Sequence, residues 1–239
     1  LPMCVKGLME LITKKEPTMI EINVRGNDPY YTQRNNRIRP LSSCNVTSMV
    51  AALDYAGYSF PVDSNYPQAE DSLLNFMLTS KEVDAEYQKL FPDEYKKYIA
   101  CNRNPSKSYP PNELHALLSY GTNLWLGKQR GEVTKFRWDL TLRDILFELI
   151  NHKPVVTSGV FSGLHHVVCI AGFTTSQIVS GVIKPQDIEV DKVMSIIIED
   201  PYGDYHTGYK QTSGKDVEMS IDDFNKFINV SGQPQKWGH

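Results

Sequence analysis

The chain has 239 residues, enough for one large domain or two small ones, and a domain of this size buries most of its apolar surface. Its content of 41% hydrophobic, 22% charged and 10% aromatic residues is that of a globular protein, and a net charge of −3 provides no basic field to draw nucleic acid or an anionic membrane. No apolar run is long enough to span a bilayer, and cysteines at positions 4, 44, 101 and 169 form neither a disulfide framework nor a CxxC metal pair.

The chain opens on Leu1 rather than Met. Loss of a signal peptide would fit that start and would favour a secreted or cell-surface bacterial protein, while the residues themselves leave the compartment open. Residues 1–18, with Leu8, Met9, Leu11 and Ile12, read as a linker or a short docked helix. Residues 19–24 (MIEINV) alternate apolar and polar, as a strand does. NDPYY then forms an aromatic turn and NNRIRPLSS a loop.

Residues 44–56 predict a helix, with Val46, Met49, Val50, Leu53 and Ala56 on one face. Ser42 or Ser43 suits its N-cap and Gly57 its C′ position. Residues 61–130 read as a helical insertion, with stretches at about 69–80 and 81–90, a Pro-rich break (CNRNPSKSYPPNE) and a further helix through LHALLSYGTN. The aromatic residues of this region either line a cleft or pack the helices, and packing is the favoured reading.

Thr141 opens a helix with a Thr-x-x-Asp capping box and an apolar stripe at Leu142, Ile145, Leu146, Leu149 and Ile150. Strands are expected at 154–161, 166–173, 193–199 and about 206–212. A turn at SGKD and a helix through SIDDFNKFI close the chain. A helical half followed by a mostly antiparallel β half implies a single α+β domain with its site between the halves.

Four residues stand where acyl transfer needs them. Cys44 begins a helix, where first-turn N–H groups and the helix dipole favour a thiolate over a thiol. Gln33, eleven residues upstream, carries an uncharged N–H₂ able to donate to an oxyanion. His166 begins the strand run VVCIAGF; strand alternation turns His165 and His166 to opposite faces, so one of them alone meets Cys44. Asp200, before Pro201 at a strand end, is placed to accept the Nδ1–H of His166 and fix its tautomer. Glu199 faces the other way and is the weaker candidate. Each residue alone has a plain structural explanation: a core thiol, a surface amide beside Arg34 and Asn35, a packed strand imidazole, a turn carboxylate. Together they match nucleophile, oxyanion donor, base and orienting acid.

Four segments, YYTQRNN, SSCNVTSMVAALDYAG, GLHHVVCIAGF and EDPYGDYHTGY, carry a family resemblance. The chain resembles the papain-like cysteine peptidases, and among them the bacteriocin-processing-like group of peptidase family C-thirty-nine. In that group a Gln precedes the Cys, and a Gly follows the His by six residues. Gly172 therefore selects His166 over His165. The resemblance implies a papain-like fold and a Cys44, His166, Asp200 triad, with Gln33 as oxyanion donor. Two departures stand out: Asn45 follows the cysteine where the group often has Gly, and the spacing from Gln to Cys is longer than in papain.

The leading expectation is hydrolysis of an amide bond through a thioester acyl-enzyme, acting on a peptide or protein, with bacterial wall peptide and a phage-related setting among the candidates. The same triad serves acyltransferases and wall amidases, and the fold could persist as a binding module with an idle triad. No cofactor is expected, and no local pair spacing supports a metal.

Overall fold

The computed structural model describes residues 18–61, 63–161, 163–228 and 236–239. Cys4 and nearly all of the expected N-terminal linker or helix lie outside those residues. An α+β architecture is observed, as the order of segments implies: a helical half built on α1, and an antiparallel sheet.

The first strand, β1 (Ile20–Asn23), precedes a 3-10 turn at Gln33–Asn35 and then α1 (Cys44–Tyr55). Helix α1 is buried on nearly every side, because helices cover one flank and the sheet the other. The helical half continues with α2 (Ala69–Thr79), α3 (Lys81–Leu90), α4 (Pro92–Ala100) and α5 (His115–Trp125). These share one apolar cluster with α1, including Leu73, Leu74, Tyr87, Tyr98 and Leu117, so the aromatics Tyr87 and Tyr98 pack the helices. Helix α4 extends the helical stretches read from the sequence. Pro92 looks like a breaker there, but it occupies the first turn of α4, where its missing N–H has no helical partner to lose.

The β half contains β2 (Arg137–Leu140), α6 (Leu142–Ile150), β3 (Val155–Phe161), β4 (Leu164–Thr175), β5 (Val193–Glu199), β6 (Val217–Ser220), α7 (Ile221–Phe227) and β7 (Lys236–Gly238). The Thr141–Asp144 capping box of α6 is present in both directions. Strand β4 is the axis of the sheet: β3 pairs with its first half, β1 with Gly172–Thr175, and β5 with Cys169–Thr175. Strand β6 completes the sheet beside β5, and β2 pairs separately with β7. Side chains alternate along β4, so Val167, Cys169 and Ala171 face the α1 cluster while Val168 and Ile170 face a second core with α6 and α7.

One expected strand is corrected. Residues 206–212 form no strand: Tyr205–Thr207 is a 3-10 turn, and the strand pairing with β5 is β6, after the SGKD turn. Tyr209, the tyrosine of that segment, packs on the imidazole described below. No helix among the described residues is long and apolar enough to cross a membrane.

Candidate active site

The helix start that carries Cys44 is held from several directions. Buried Asp71, on α2, accepts the backbone N–H groups of Arg37 and Ile38, both at 2.8 Å, and so ties the preceding loop to the helical half. Asn36 Nδ2 donates to Ser43 Oγ and to Thr47 Oγ1, both at 2.9 Å. Ser43 thus occupies the expected N-cap position, but its hydroxyl is engaged by Asn36 and makes no cap bond. The helix entrance is left without a side-chain cap from Ser43, and its first N–H groups suit an anion.

Ser48 Oγ, one helical turn beyond Cys44, donates to the carbonyl of Val167 at 3.1 Å. That bond fixes the register of α1 on β4. Cys44 therefore projects about one turn, roughly 6 Å, along the helix from Ser48. His166 shares its strand parity with Val168 and Ile170, whose side chains point away from α1. Its ring nevertheless lines the same cleft as Cys44, at the first turn of α1, and Cys44 acts on it to raise its pKa. His165 is exposed and lines the same cleft.

The carboxylate lies behind the ring. His166 Nε2 is 2.7 Å from Asp200 Oδ1, in a pair 8% and 0% exposed. This corrects the expected geometry: Nε2, not Nδ1, faces Asp200, and Nδ1 is left for Cys44. Asp200 Oδ1 also accepts the Tyr202 N–H at 2.9 Å, which holds the carboxylate in the turn. Burial acts to lower the His166 pKa. The hydrogen bonds to Asp200 and Cys44 and the charges of both groups outweigh it, and the imidazole is raised to about 10. Glu199 points elsewhere, into a buried ion cluster with Arg25 at 3.1 Å, and burial raises it to about 8.

Gln33 belongs to the same site although it is far from Asp200 in sequence. Its backbone N–H donates to the Pro201 carbonyl at 2.9 Å, Thr32 Oγ1 donates to that oxygen at 3.2 Å, and Tyr30 Oη donates to the Asp200 carbonyl at 2.6 Å. The Gln33 side chain is 1% exposed, and its Nε2 donates to the Pro40 carbonyl at 3.0 Å. One side-chain N–H remains for another acceptor.

These groups share a cleft of about 390 Å³, lined among others by Gln33, Cys44, His166, Glu113, His115 and Tyr209. Tyr202 and Tyr209 set their rings edge-on to the imidazole, with centroids 6.1 and 6.2 Å away. The sequence reading assigned no part to either tyrosine, or to Glu113 and His115; the sole clue was the YGDYHTGY run after Asp200. Among the described residues no group of three His, Cys, Asp or Glu side chains is arranged to hold a metal. Cys44, Cys101 and Cys169 are free thiols.

No curated protein and no solved structure matches the chain. A family model does, over residues 27–231, a span that takes in the cysteine helix, the histidine strand and the aspartate turn. The fold is of the papain-like kind, and the chain belongs to the Peptidase_C39 like family, with a function related to that of the cysteine peptidases.

Proposed function

We propose that the protein is a cysteine peptidase or amidase that hydrolyses an amide bond through Cys44, His166 and Asp200, with Gln33 as oxyanion donor. The observation that carries this reading is the buried 2.7 Å contact of His166 Nε2 with Asp200 Oδ1, on a ring that lines one cleft with Cys44 and whose pKa Cys44 raises. In this mechanism His166 takes the Cys44 proton, and the resulting imidazolium stands beside the thiolate. The sulfur attacks the carbonyl carbon and the C=O electron pair moves to oxygen. Gln33 Nε2–H and the Cys44 backbone N–H receive that oxyanion. His166 gives its proton to the departing amine, leaving a thioester. Water, deprotonated by the same imidazole, attacks the thioester and releases the acid and the thiol. Asp200 holds the ring so that Nδ1 stays aimed at sulfur throughout.

A peptide or protein is the substrate class that this reading implies, and wall peptide is one member of it. The test is cleavage of a peptide panel by the wild-type protein and by Cys44→Ala, with mass detection of the acyl-enzyme. Cleavage abolished in Cys44→Ala, with a thioester on the Cys44 peptide, is the expected result. Cleavage that survives the substitution refutes the mechanism, and transfer of the acyl group to an added amine in preference to water would make the enzyme a transferase.

A further inference from the structure

The cleft beside Cys44 has two unlike walls. The β wall carries His166, Tyr202 and Tyr209; the helical wall carries Glu113 and His115. Among the described residues Glu113 is the one carboxylate lining the cleft, and neither Lys nor Arg lines it. Its place is fixed by the nucleophile helix. Asn45, next to Cys44, donates from Nδ2 to the carbonyl of Asn112, and the Glu113 N–H donates to the Pro110 carbonyl at 3.0 Å. The carboxylate therefore stands on a rigid 3-10 turn against the first turn of α1.

The charge of Glu113 is offset by the field of Arg39 and by no direct partner among the described residues. Among the described residues no hydrogen bond or ion pair reaches its carboxylate, and the group is half-buried. Arg39 acts on it only through its field, without contact. Burial raises the Glu113 pKa and outweighs the field of Arg39, as expected of a carboxylate without a cation in contact. His115 does not supply one: its ring is held neutral by burial, its pKa lowered to about 4, with Nδ1 2.8 Å from His239 Nε2. A partly dehydrated carboxylate that no Lys or Arg among the described residues touches, on the wall facing the imidazole that Cys44 and Asp200 already engage, favours a positively charged occupant.

We propose that Glu113 is a specificity residue that selects amide substrates with a basic side chain next to the scissile bond. This rests on the peptidase reading of the cleft, and it names the substrate class that reading left open. A lysine ammonium or arginine guanidinium entering beside Cys44 would pair with Glu113 and supply the contact partner that the described residues do not.

Two readouts separate this proposal from the reading beneath it. The first needs no turnover: rates of Cys44 labelling by a cationic aminoethyl methanethiosulfonate and by its anionic sulfonatoethyl analogue, followed by mass spectrometry of the Cys44 peptide. The cation-to-anion rate ratio is expected to fall about five- to tenfold in Glu113→Gln and further in Glu113→Lys. Circular dichroism and the urea midpoint establish that each variant is folded, and Glu113→Gln is close in shape should Glu113→Lys fail to fold. A ratio unchanged in folded Glu113→Gln overturns the proposal. The second readout is kcat/KM for peptides with Lys, norleucine or Glu at each position flanking the cleaved bond. The Lys-to-norleucine ratio is expected to exceed one in the wild type and to drop in Glu113→Gln. Cys44-dependent cleavage with no preference for Lys overturns the role of Glu113 and leaves the peptidase reading standing. Absence of any Cys44-dependent cleavage removes that reading and, with it, the substrate class.

Discussion

His166 presents Nε2 to Asp200 at 2.7 Å, and this leaves Nδ1 for the Cys44 sulfur. An imidazole gripped through one nitrogen cannot rotate that nitrogen toward the thiol, so in the proposed mechanism the carboxylate sets which atom is the base. Asp200→Ala is expected to lower kcat by about 10²–10⁴-fold, the range found when an orienting acid or proton-transfer group is removed. Asp200→Asn should lose less, because an amide oxygen still accepts the Nε2–H. Steady-state rates on a peptide substrate decide the matter. An Asp200→Ala enzyme within threefold of the wild type would show that packing by Tyr202 and Tyr209 is enough to hold the ring.

The same pair makes stability depend on pH in a stated direction. His166 is raised to about 10 in the folded protein, against about 6.5 for an unperturbed imidazole. A raised histidine stabilises the fold fully below the unfolded pKa, and that contribution is lost as pH rises through the folded one. The urea midpoint of the wild type, relative to that of Asp200→Asn, should therefore shrink steadily between about pH 6.5 and 10. Glu199, raised to about 8, titrates in the same window, which is why the difference between the two proteins carries the information. A difference that grows with pH would mean that the ring is neutral in the folded state.

The parts of the site legible in the sequence were those with a local signature. Cys44 stands between a polar loop and an apolar helical stripe, and His166 opens a run of β-branched and small residues that ends in Gly172. What stayed hidden depends on contacts between distant segments. The ring nitrogen facing Asp200 follows from how β4 meets the Asp200–Tyr202 turn, which no spacing encodes. Glu113 and His115 reach the cleft through the bond between Asn45 and Asn112, across 67 positions of chain. The strand expected at about 206–212 does not form: Tyr209 sits at φ 64°, outside the extended region. Strand β7, of three residues, is too short for periodicity to register, and β2, of four, is likewise absent from the strands expected from the sequence.

Gly172 has a spatial reason for its place six residues beyond His166. A Cβ there would lie 2.2 Å from the Ile22 carbonyl oxygen and 3.0 Å from the Asn23 Cα. Both obstacles are backbone, so β1 itself would have to move. Gly172→Ala is expected to destabilise the fold by about 1–3 kcal/mol, the usual cost of overpacking. Chemical denaturation measures it, and a cost below about 0.5 kcal/mol, within the range of an ordinary surface change, would mean that β1 yields freely.

Gln33 tests the division of labour between proton transfer and oxyanion binding. Its backbone is tied to Pro201, and its side chain to Pro40, so the residue is fixed before any substrate arrives. In the proposed mechanism the remaining Nε2–H acts when negative charge appears on the carbonyl oxygen, a species formed in turnover and absent in simple alkylation of the thiol. Gln33→Ala should therefore lower kcat by about 10²–10³-fold, the loss typical of one oxyanion donor, while the rate of Cys44 alkylation by iodoacetamide stays near that of the wild type. Gln33→Glu should be slower still, because a carboxylate beside the oxyanion repels it. If Gln33→Ala reduces alkylation and turnover by the same factor, the amide acts on the sulfur, and the oxyanion must be held by the helix N–H groups alone.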